Sequence, residues 1–124
     1  MALAIGTDIV EIARMSDAVS RQGLKFVQRI LCAKEFEQYQ SKSNSSAFLA
    51  KRFAAKEAIA KALGTGIGNG VSFQDIEIHN NVKGAPQVKL TGGAAKVLAE
   101  MGATKVLLSL SDEKEYALAY AVLV

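Results

Sequence analysis

The chain has 124 residues, half of them hydrophobic, a length that suits one domain spanning residues 1–124. Its 15 Lys and Arg residues exceed the 12 acidic ones, and the net charge of +3 is too small to require a nucleic-acid partner. The lone cysteine cannot form an internal disulfide. No apolar run reaches the roughly 20 residues that cross a bilayer. Acidic residues soon interrupt the short apolar N-terminus, which does not have the pattern of a signal peptide. We therefore expect a cytoplasmic protein without signal peptide or membrane span, whose mild positive charge suits an anionic ligand or an acidic protein.

The first half of the chain predicts one short strand followed by four helices. The apolar run at residues 2–5 predicts the strand, and Asp8 comes soon after its end. Helical stretches are expected at about 14–21, 24–31, 33–40 and 46–63. The last helix is the clearest because it is rich in Ala, Leu, Lys and Glu, and Gly64 follows it where a left-handed cap favours glycine.

Cys32 stands directly before the third of these helices. Glu35 follows it by three residues, which is the spacing of a capping box with cysteine in place of serine or threonine. We interpret Cys32 as a weak N-cap and not as a nucleophile.

The second half of the chain predicts strands. Val71 and Phe73 alternate, and the apolar phase then moves to Ile76 and Ile78, so we expect a bulge or break near residues 74–75. Turn residues at about 80–84 lead into the next strand.

That next strand is expected at residues 86–90, with Pro86 at its first position, where a missing N–H is tolerated. A helix at about 93–101 follows, and strands at about 104–110 and 116–123 should form a hairpin. The sequence thus predicts a single α+β domain with N-terminal helices packed on an antiparallel sheet.

Two acidic residues are candidates for a metal site. Glu57 and Lys61 lie four residues apart on one face of the long helix, and Asp8 lies near the first strand. Mg²⁺ takes one or two carboxylates together with phosphate oxygens and water, so this Asp and Glu could hold it if the fold brings them together. Alternatively, Asp8 is a turn residue and Glu57 forms a surface ion pair with Lys61. The spacing leaves this alternative and the metal site open. Arg52 and Lys56, also four apart, predict additional positive charge on a neighbouring solvated face.

Other motifs carry little chemistry by themselves. The glycine-rich loop at residues 64–70 lacks the Gly-Lys-Ser/Thr of a Walker loop, and it follows a helix, whereas a dinucleotide fingerprint follows a strand. With one histidine, His79, and one cysteine, the chain has no Cys/His group for structural zinc. Nothing in the pattern around His79 supports Ser-His-Asp chemistry.

Three segments match known motifs in a known order. They are Gly-Thr-Asp-Ile-Val-Glu-Ile at residues 6–12, Arg-Phe-Ala-Ala-Lys-Glu-Ala at residues 52–58 together with residues 61–67, and Ser-Phe-Gln-Asp-Ile-Glu-Ile at residues 72–78. The chain thereby resembles the holo-acyl-carrier-protein synthases, the small bacterial type of 4'-phosphopantetheinyl transferase, over essentially its whole length. The resemblance implies their fold and their reaction. In that reaction 4'-phosphopantetheine passes from coenzyme A to a serine of apo acyl carrier protein, with Mg²⁺, releasing adenosine 3',5'-bisphosphate in support of fatty acid biosynthesis.

The resemblance also implies a role for individual residues. Asp8 and Glu57 correspond to the metal ligands, and Lys61 corresponds to a lysine that contacts phosphate, so these three are the implied catalytic residues. The implied coenzyme A-binding positions are Phe48, Arg52, Lys61, Gly64 and Pro86. The implied carrier-protein-binding positions, a basic surface for an acidic carrier, are Arg14, Arg21, Gln22 and Arg29. The carrier serine is the nucleophile, which agrees with the missing triad, and the family forms trimers with active sites between subunits, so we expect a homotrimer.

Two other functions stay open at this point. A basic, non-enzymatic binding module for an acidic protein or nucleic acid would need neither acid, and would show basic residues interleaved with aromatic ones, of which only Phe48 and Phe53 lie near Arg52. Another magnesium-dependent nucleotide phosphotransferase or hydrolase would share the acidic pair and act without a carrier protein. We expect neither nucleic acid nor a membrane as a partner.

Overall fold

The chain passes through one strand, four helices, and then a second group of strands that includes a fifth helix. The computed structural model describes all 124 residues. In chain order the elements are β1 (Ala4–Glu11), α1 (Ile12–Gln22), α2 (Leu24–Ile30), α3 (Ala33–Ser41), α4 (Ser45–Ala62), a 3₁₀ turn (Phe73–Asp75), β2 (Ile76–Asn80), β3 (Pro86–Leu90), α5 (Gly92–Glu100), β4 (Val106–Asp112) and β5 (Tyr116–Leu123). None of the helices combines the length and the apolar composition needed to cross a membrane.

The strands form two separate antiparallel sheets. The larger sheet has the order β1-β5-β4, and β2 pairs with β3 in the smaller one. The predicted hairpin of the last two strands is therefore confirmed, as is the α+β class. The first strand also joins this hairpin at its β5 edge, so the larger sheet unites the two ends of the chain.

The helix α4 packs closely on the larger sheet. β5 turns three fully buried alanines toward it, Ala117, Ala119 and Ala121. On β1 the facing position is Gly6, where any side chain would collide with the backbone of Ala58. Because the facing side chains are this small, the backbones of helix and strand approach closely, and α4 lies beside the middle of β1.

The strand β1 is longer than its sequence predicts. The prediction ended it at residue 5 because polar residues interrupt the apolar run, yet the strand continues to Glu11. Each of its residues pairs with β5, and Asp8 lies opposite Ala119. The distant partner strand β5 supplies hydrogen bonds that no local sequence pattern predicts. Asp8 therefore lies inside a strand, and the expectation that it follows the end of one is wrong.

The other element boundaries agree with the sequence to within two residues. The expected break near residues 74–75 is confirmed as the 3₁₀ turn Phe73–Asp75. Val71 does not extend a strand as its alternation predicts, because it forms only an isolated bridge with Gly68 across the glycine-rich loop.

The capping box predicted for α3 is present. The carboxylate of Glu35 accepts the backbone N–H of Cys32 at 2.8 Å. The thiol of Cys32 is buried 3.5 Å from the carbonyl oxygen of Ile76, and its burial raises the pKa of the thiol. A thiol held in its protonated form is a poor nucleophile, which agrees with a structural role for this cysteine.

Candidate active site

The fold brings Asp8 of β1 and Glu57 of α4 to one cavity. Successive residues of a strand face opposite sides, so Asp8 points to the same side as the buried residues Gly6 and Val10, which is the side of α4. Glu57 is half-buried and lies on the part of α4 that borders this strand. Both carboxylates line a cavity of about 590 Å³. The two acids that are 49 positions apart in sequence are thus neighbours in space.

The acidic pair has two carboxylates and one nearby ammonium group, that of Lys61. Burial raises the pKa of Glu57, the negative charge of Asp8 raises it further, and Lys61 acts in the opposite direction. The Nζ of Lys61 donates to the Asp8 Oδ1 and to the backbone carbonyl of Thr7, both at 3.0 Å. Lys61 is exposed and its long side chain is free to leave this position. The repulsion between Asp8 and Glu57 makes the position between the two carboxylates attractive to a further cation.

The donor atoms fit a hard divalent cation. Asp8 and Glu57 offer carboxylate oxygens only, and the chain contains no group of three or more Asp, Glu, His or Cys residues that could enclose a metal by itself. Mg²⁺ is commonly bound by one or two carboxylates while water and substrate phosphates supply its other ligands. A cation between the two acids would also relieve the repulsion from Asp8, which together with the larger effect of burial raises the pKa of Glu57.

The same cavity collects three of the four implied carrier-binding residues. Arg14, Arg21 and Gln22 are exposed on α1 and line it together with the two acids. Its apolar lining residues are Ile9, Val10, Met15, Ala18, Phe26 and Phe53. Arg29, the fourth, instead borders a separate and mainly apolar cavity of about 740 Å³ with Phe36 and Phe73.

The implied coenzyme-binding residues are more dispersed, and only Lys61 contacts the acidic pair. Lys61 also borders a third cavity of about 340 Å³ with Ile5, Thr7 and Tyr120. Gly64 lies exposed just past α4 at a φ of 81°. Pro86 begins β3 opposite Asn80, away from the cavity of the two acids.

The last two implied coenzyme-binding residues are packed against each other inside the protein. The guanidinium of Arg52 lies 4.7 Å from the centre of the Phe48 ring, and both residues are less than 10% exposed. Burial lowers the pKa of Arg52, and the nearby Glu35 partly opposes this effect.

The prediction that Arg52 and Lys56 form a solvated basic face is wrong. Lys56 is completely buried, and its Nζ lies 2.6 Å from the Glu35 Oε1. The Arg52 Nε faces the other oxygen of Glu35 at 3.7 Å. Sequence reasoning assigned Glu35 to the capping box alone, because nothing in the spacing of α3 shows that α4 will pack its lysine there. The only available signal was two basic residues inside a helix otherwise rich in alanine.

Known proteins resemble the chain over its full length. The model of the 4'-phosphopantetheinyl transferase superfamily matches residues 4–121. The holo-acyl-carrier-protein synthase of Vibrio vulnificus is 51% identical over 120 residues, which cover 97% of this chain and 95% of the relative.

Solved structures of such synthases have the same fold. The synthase from Neisseria meningitidis superimposes with a TM-score of 0.93 at 41% identity, covering 100% of this chain and 99% of the other. The Helicobacter pylori synthase in complex with coenzyme A gives a TM-score of 0.85 at 36% identity, covering 97% and 99% of the two chains. The chain therefore belongs to the holo-acyl-carrier-protein synthases, enzymes of the 4'-phosphopantetheinyl transferase superfamily.

Proposed function

We propose that the chain transfers 4'-phosphopantetheine from coenzyme A to a serine of apo acyl carrier protein, using Mg²⁺ and releasing adenosine 3',5'-bisphosphate, in support of fatty acid biosynthesis. One observation carries the proposal beyond family membership. A single cavity combines the acidic pair Asp8 and Glu57 with the basic and apolar face of α1. Such a cavity can hold a metal and a phosphorylated donor next to a bound acidic protein. The coenzyme A in the Helicobacter pylori relative supports the choice of donor.

The acidic pair and Lys61 would act on the donor pyrophosphate. Asp8 and Glu57 would hold the metal, which when bound neutralises phosphate charge and orients the phosphorus for attack. The Nζ of Lys61 is already 3.0 Å from Asp8 and lies on an exposed, flexible side chain. It can therefore turn to a phosphate oxygen bound at the same place and stabilise the charge that develops there.

The face of α1 would receive the carrier. Arg14 and Arg21 project from it next to the acidic pair, and their charge would attract an acidic protein. Met15 and Phe26 in the same cavity supply apolar surface for the carrier to bury. The carrier serine provides the attacking oxygen, so the chain needs no nucleophile of its own.

The outer face of the larger sheet supports assembly with further copies of the chain, which we propose is the homotrimer that the family resemblance implies. An antiparallel sheet with one face on a helix normally presents polar residues on the other face. Here Ile5 and Ile9 are 61% and 62% exposed, and Leu107, Leu118 and Tyr120 are 39% to 45% exposed. Contiguous apolar patches of this kind are typical of protein interfaces. Ile5 and Tyr120 also border the cavity of Lys61, so a subunit packed on this face would lie next to that lysine.

A reconstituted reaction tests the proposed activity. Purified protein, coenzyme A, Mg²⁺ and an apo acyl carrier protein should yield a carrier with the added mass of phosphopantetheine, and a chelator should prevent the addition. Asp8→Asn and Glu57→Gln should abolish it, whereas Glu37→Gln, which changes an exposed glutamate of α3, should leave it intact.

The outcomes separate the three functions. An unmodified carrier in the presence of folded protein would refute the proposal. Carrier binding without modification, unaffected by the changes at Asp8 and Glu57, would favour the non-enzymatic binding module. Cleavage of coenzyme A at the same rate with and without the carrier would favour a different phosphotransferase or hydrolase.

A further inference from the structure

Glu35 is a buried carboxylate shared by three structural elements. It is 1% exposed, and its Oε1 accepts both the backbone N–H of Cys32 and the ammonium of Lys56 on α4. Its Oε2 accepts the backbone N–H of Ile78 on β2 at 2.9 Å and faces Arg52. One side chain on α3 therefore joins α3, α4 and β2.

Lys56 is the second member of this buried cluster, and each of its N–H donors has an acceptor. Its Nζ donates to the Glu35 Oε1, to the Ile30 carbonyl at 2.7 Å and to the Phe73 carbonyl at 3.2 Å. An ammonium group has three N–H donors, and each of them has an acceptor here. The carbonyls belong to the end of α2 and to the 3₁₀ turn, so Lys56 ties α4 to both.

Apart from its close contact with Gly6, the apolar packing of α4 constrains its rotation only weakly. Buried positions occur all around the helix, including the consecutive residues 47–50, 54–56 and 58–60. Seven of its buried residues are alanines, which present nearly the same small surface in every direction. A buried polar network adds directional contacts that favour one rotation, because such a network is satisfied in one register only.

Glu57 is the residue directly after Lys56 and projects about 100° further around α4. Any rotation that displaces Lys56 from its three acceptors also turns Glu57 away from Asp8. We infer that Glu35 and Lys56 are positioning residues for the active site, which lock the rotation of α4 so that Glu57 faces Asp8. The kinetic consequence rests on the proposed activity, whereas the consequence for metal binding rests only on Asp8 and Glu57 as the metal ligands.

The test removes the buried Glu35–Lys56 ion pair as a unit; Arg52 then loses the charge of Glu35 and retains its contact with the Phe48 ring. Truncating one partner would strand the other, so the variant is Glu35→Gln combined with Lys56→Met, which keeps the volume of both side chains. Glu35→Asp is a milder second variant that keeps the charge and withdraws the carboxylate by one methylene. Circular dichroism and thermal unfolding establish that each protein is folded. Leu98→Ala on α5 serves as a control that loses apolar packing away from the cluster.

Two measurements are made on each folded protein. The first is the dissociation constant for Mn²⁺ alone, followed by electron paramagnetic resonance, with Mn²⁺ standing in for Mg²⁺. The second is kcat and KM for carrier modification. We expect the double variant to bind Mn²⁺ about tenfold more weakly or worse and to lose about 10- to 100-fold in kcat. Glu35→Asp should change both in the same direction by less. The carrier KM should stay within about twofold, because α1 presents the carrier surface and lies outside the cluster.

Wild-type Mn²⁺ affinity and kcat in both folded variants, or equal losses in Leu98→Ala, would overturn the inference. If the wild-type protein binds Mn²⁺ but does not modify the carrier, the proposed function fails. The ratio of Mn²⁺ affinities between variant and wild type still decides the positioning role in that case. A wild-type protein that binds no Mn²⁺ would overturn it outright.

Discussion

Replacing Gly6 with alanine should disable the active site by separating β1 from α4. The added Cβ would collide with the Ala58 carbonyl and would lie 2.7 Å from the backbone nitrogen of Ala62. These are backbone atoms of a buried helix and cannot turn aside as a side chain would. Restoring ordinary contact of 3.4 Å with Ala62 alone requires a displacement of about 0.7 Å. Since Asp8 lies two residues along the same strand, it must move with Gly6.

The size of the effect follows from this displacement. Overpacking a buried contact costs about 1–3 kcal/mol, which at about 4 °C per kcal/mol lowers the Tm by roughly 4–12 °C. A misplacement approaching 1 Å between catalytic groups can cost about 100-fold in rate. We therefore expect Gly6→Ala to remain folded at 25 °C and to lose about 100-fold in kcat/KM for carrier modification.

Gly102→Ala provides the matched control. Gly102 has a φ of 80° after α5, and no atom lies within 4 Å of the position that a Cβ would take there, so alanine adds backbone strain without a collision. Left-handed strain costs about 1–2 kcal/mol, similar to the loss expected at Gly6. Thermal unfolding and the carrier assay should show two comparably destabilised proteins, of which only Gly6→Ala is inactive. Wild-type Tm and activity in Gly6→Ala, or equal inactivation of both variants, would refute the reasoning.

Four further predictions concern charge, metal binding and assembly. Burial and the charge of Asp8 raise the pKa of Glu57 in the folded protein, so its ionisation opposes folding as the pH rises through that pKa. Glu57→Gln should therefore raise the Tm at pH 7 while abolishing transfer, and a lowered Tm would contradict this cost of ionising Glu57. Loss of Mn²⁺ binding on acidification should begin above the ordinary glutamate pKa of 4.5. Arg14→Glu should raise the carrier KM at least tenfold with little change in the coenzyme KM. The control Lys96→Glu on α5 changes the net charge equally and should alter neither KM. Equal effects of Arg14→Glu on the KM of both substrates would exclude a docking role. Ile9→Lys should reduce the mass in light scattering from about three times 13.2 kDa to that of one chain, and an unchanged mass would remove β1 from the interface.

Local sequence patterns predicted most of the elements because their causes are local. Gly64 marks the end of α4, and the phase shift before Ile76 marks the 3₁₀ turn. The extent of β1 has a different cause. Its hydrogen bonds come from β5 at the other end of the chain, so the polar residues Thr7 and Asp8 concealed a strand that only the distant partner completes.

The candidate site divides in the same way. Spacing alone left Asp8 and Glu57 undecided between a metal pair and ordinary structural roles, and the motifs around them supplied the family and its chemistry. The structure brought Arg14, Arg21 and Gln22 to the same cavity and placed Arg29 at another. The residue type and order of the motifs are properties of the chain, whereas the sharing of a cavity depends on how α1 and α4 pack.

By itself, the sequence determined the domain class, the order of the elements, the family and the residues that carry its motifs, because these depend on neighbouring residues along the chain. Only the tertiary structure decided that Asp8 lies within a strand facing Glu57, that Lys61 of α4 contacts Asp8, and that Lys56 is buried on Glu35. Each of these depends on contacts between residues at least 21 positions apart, for which a helical or strand period holds no information. The close packing of α4 on Gly6 and on the alanines of β5 brings the helix and β1 near enough for the two acids to meet.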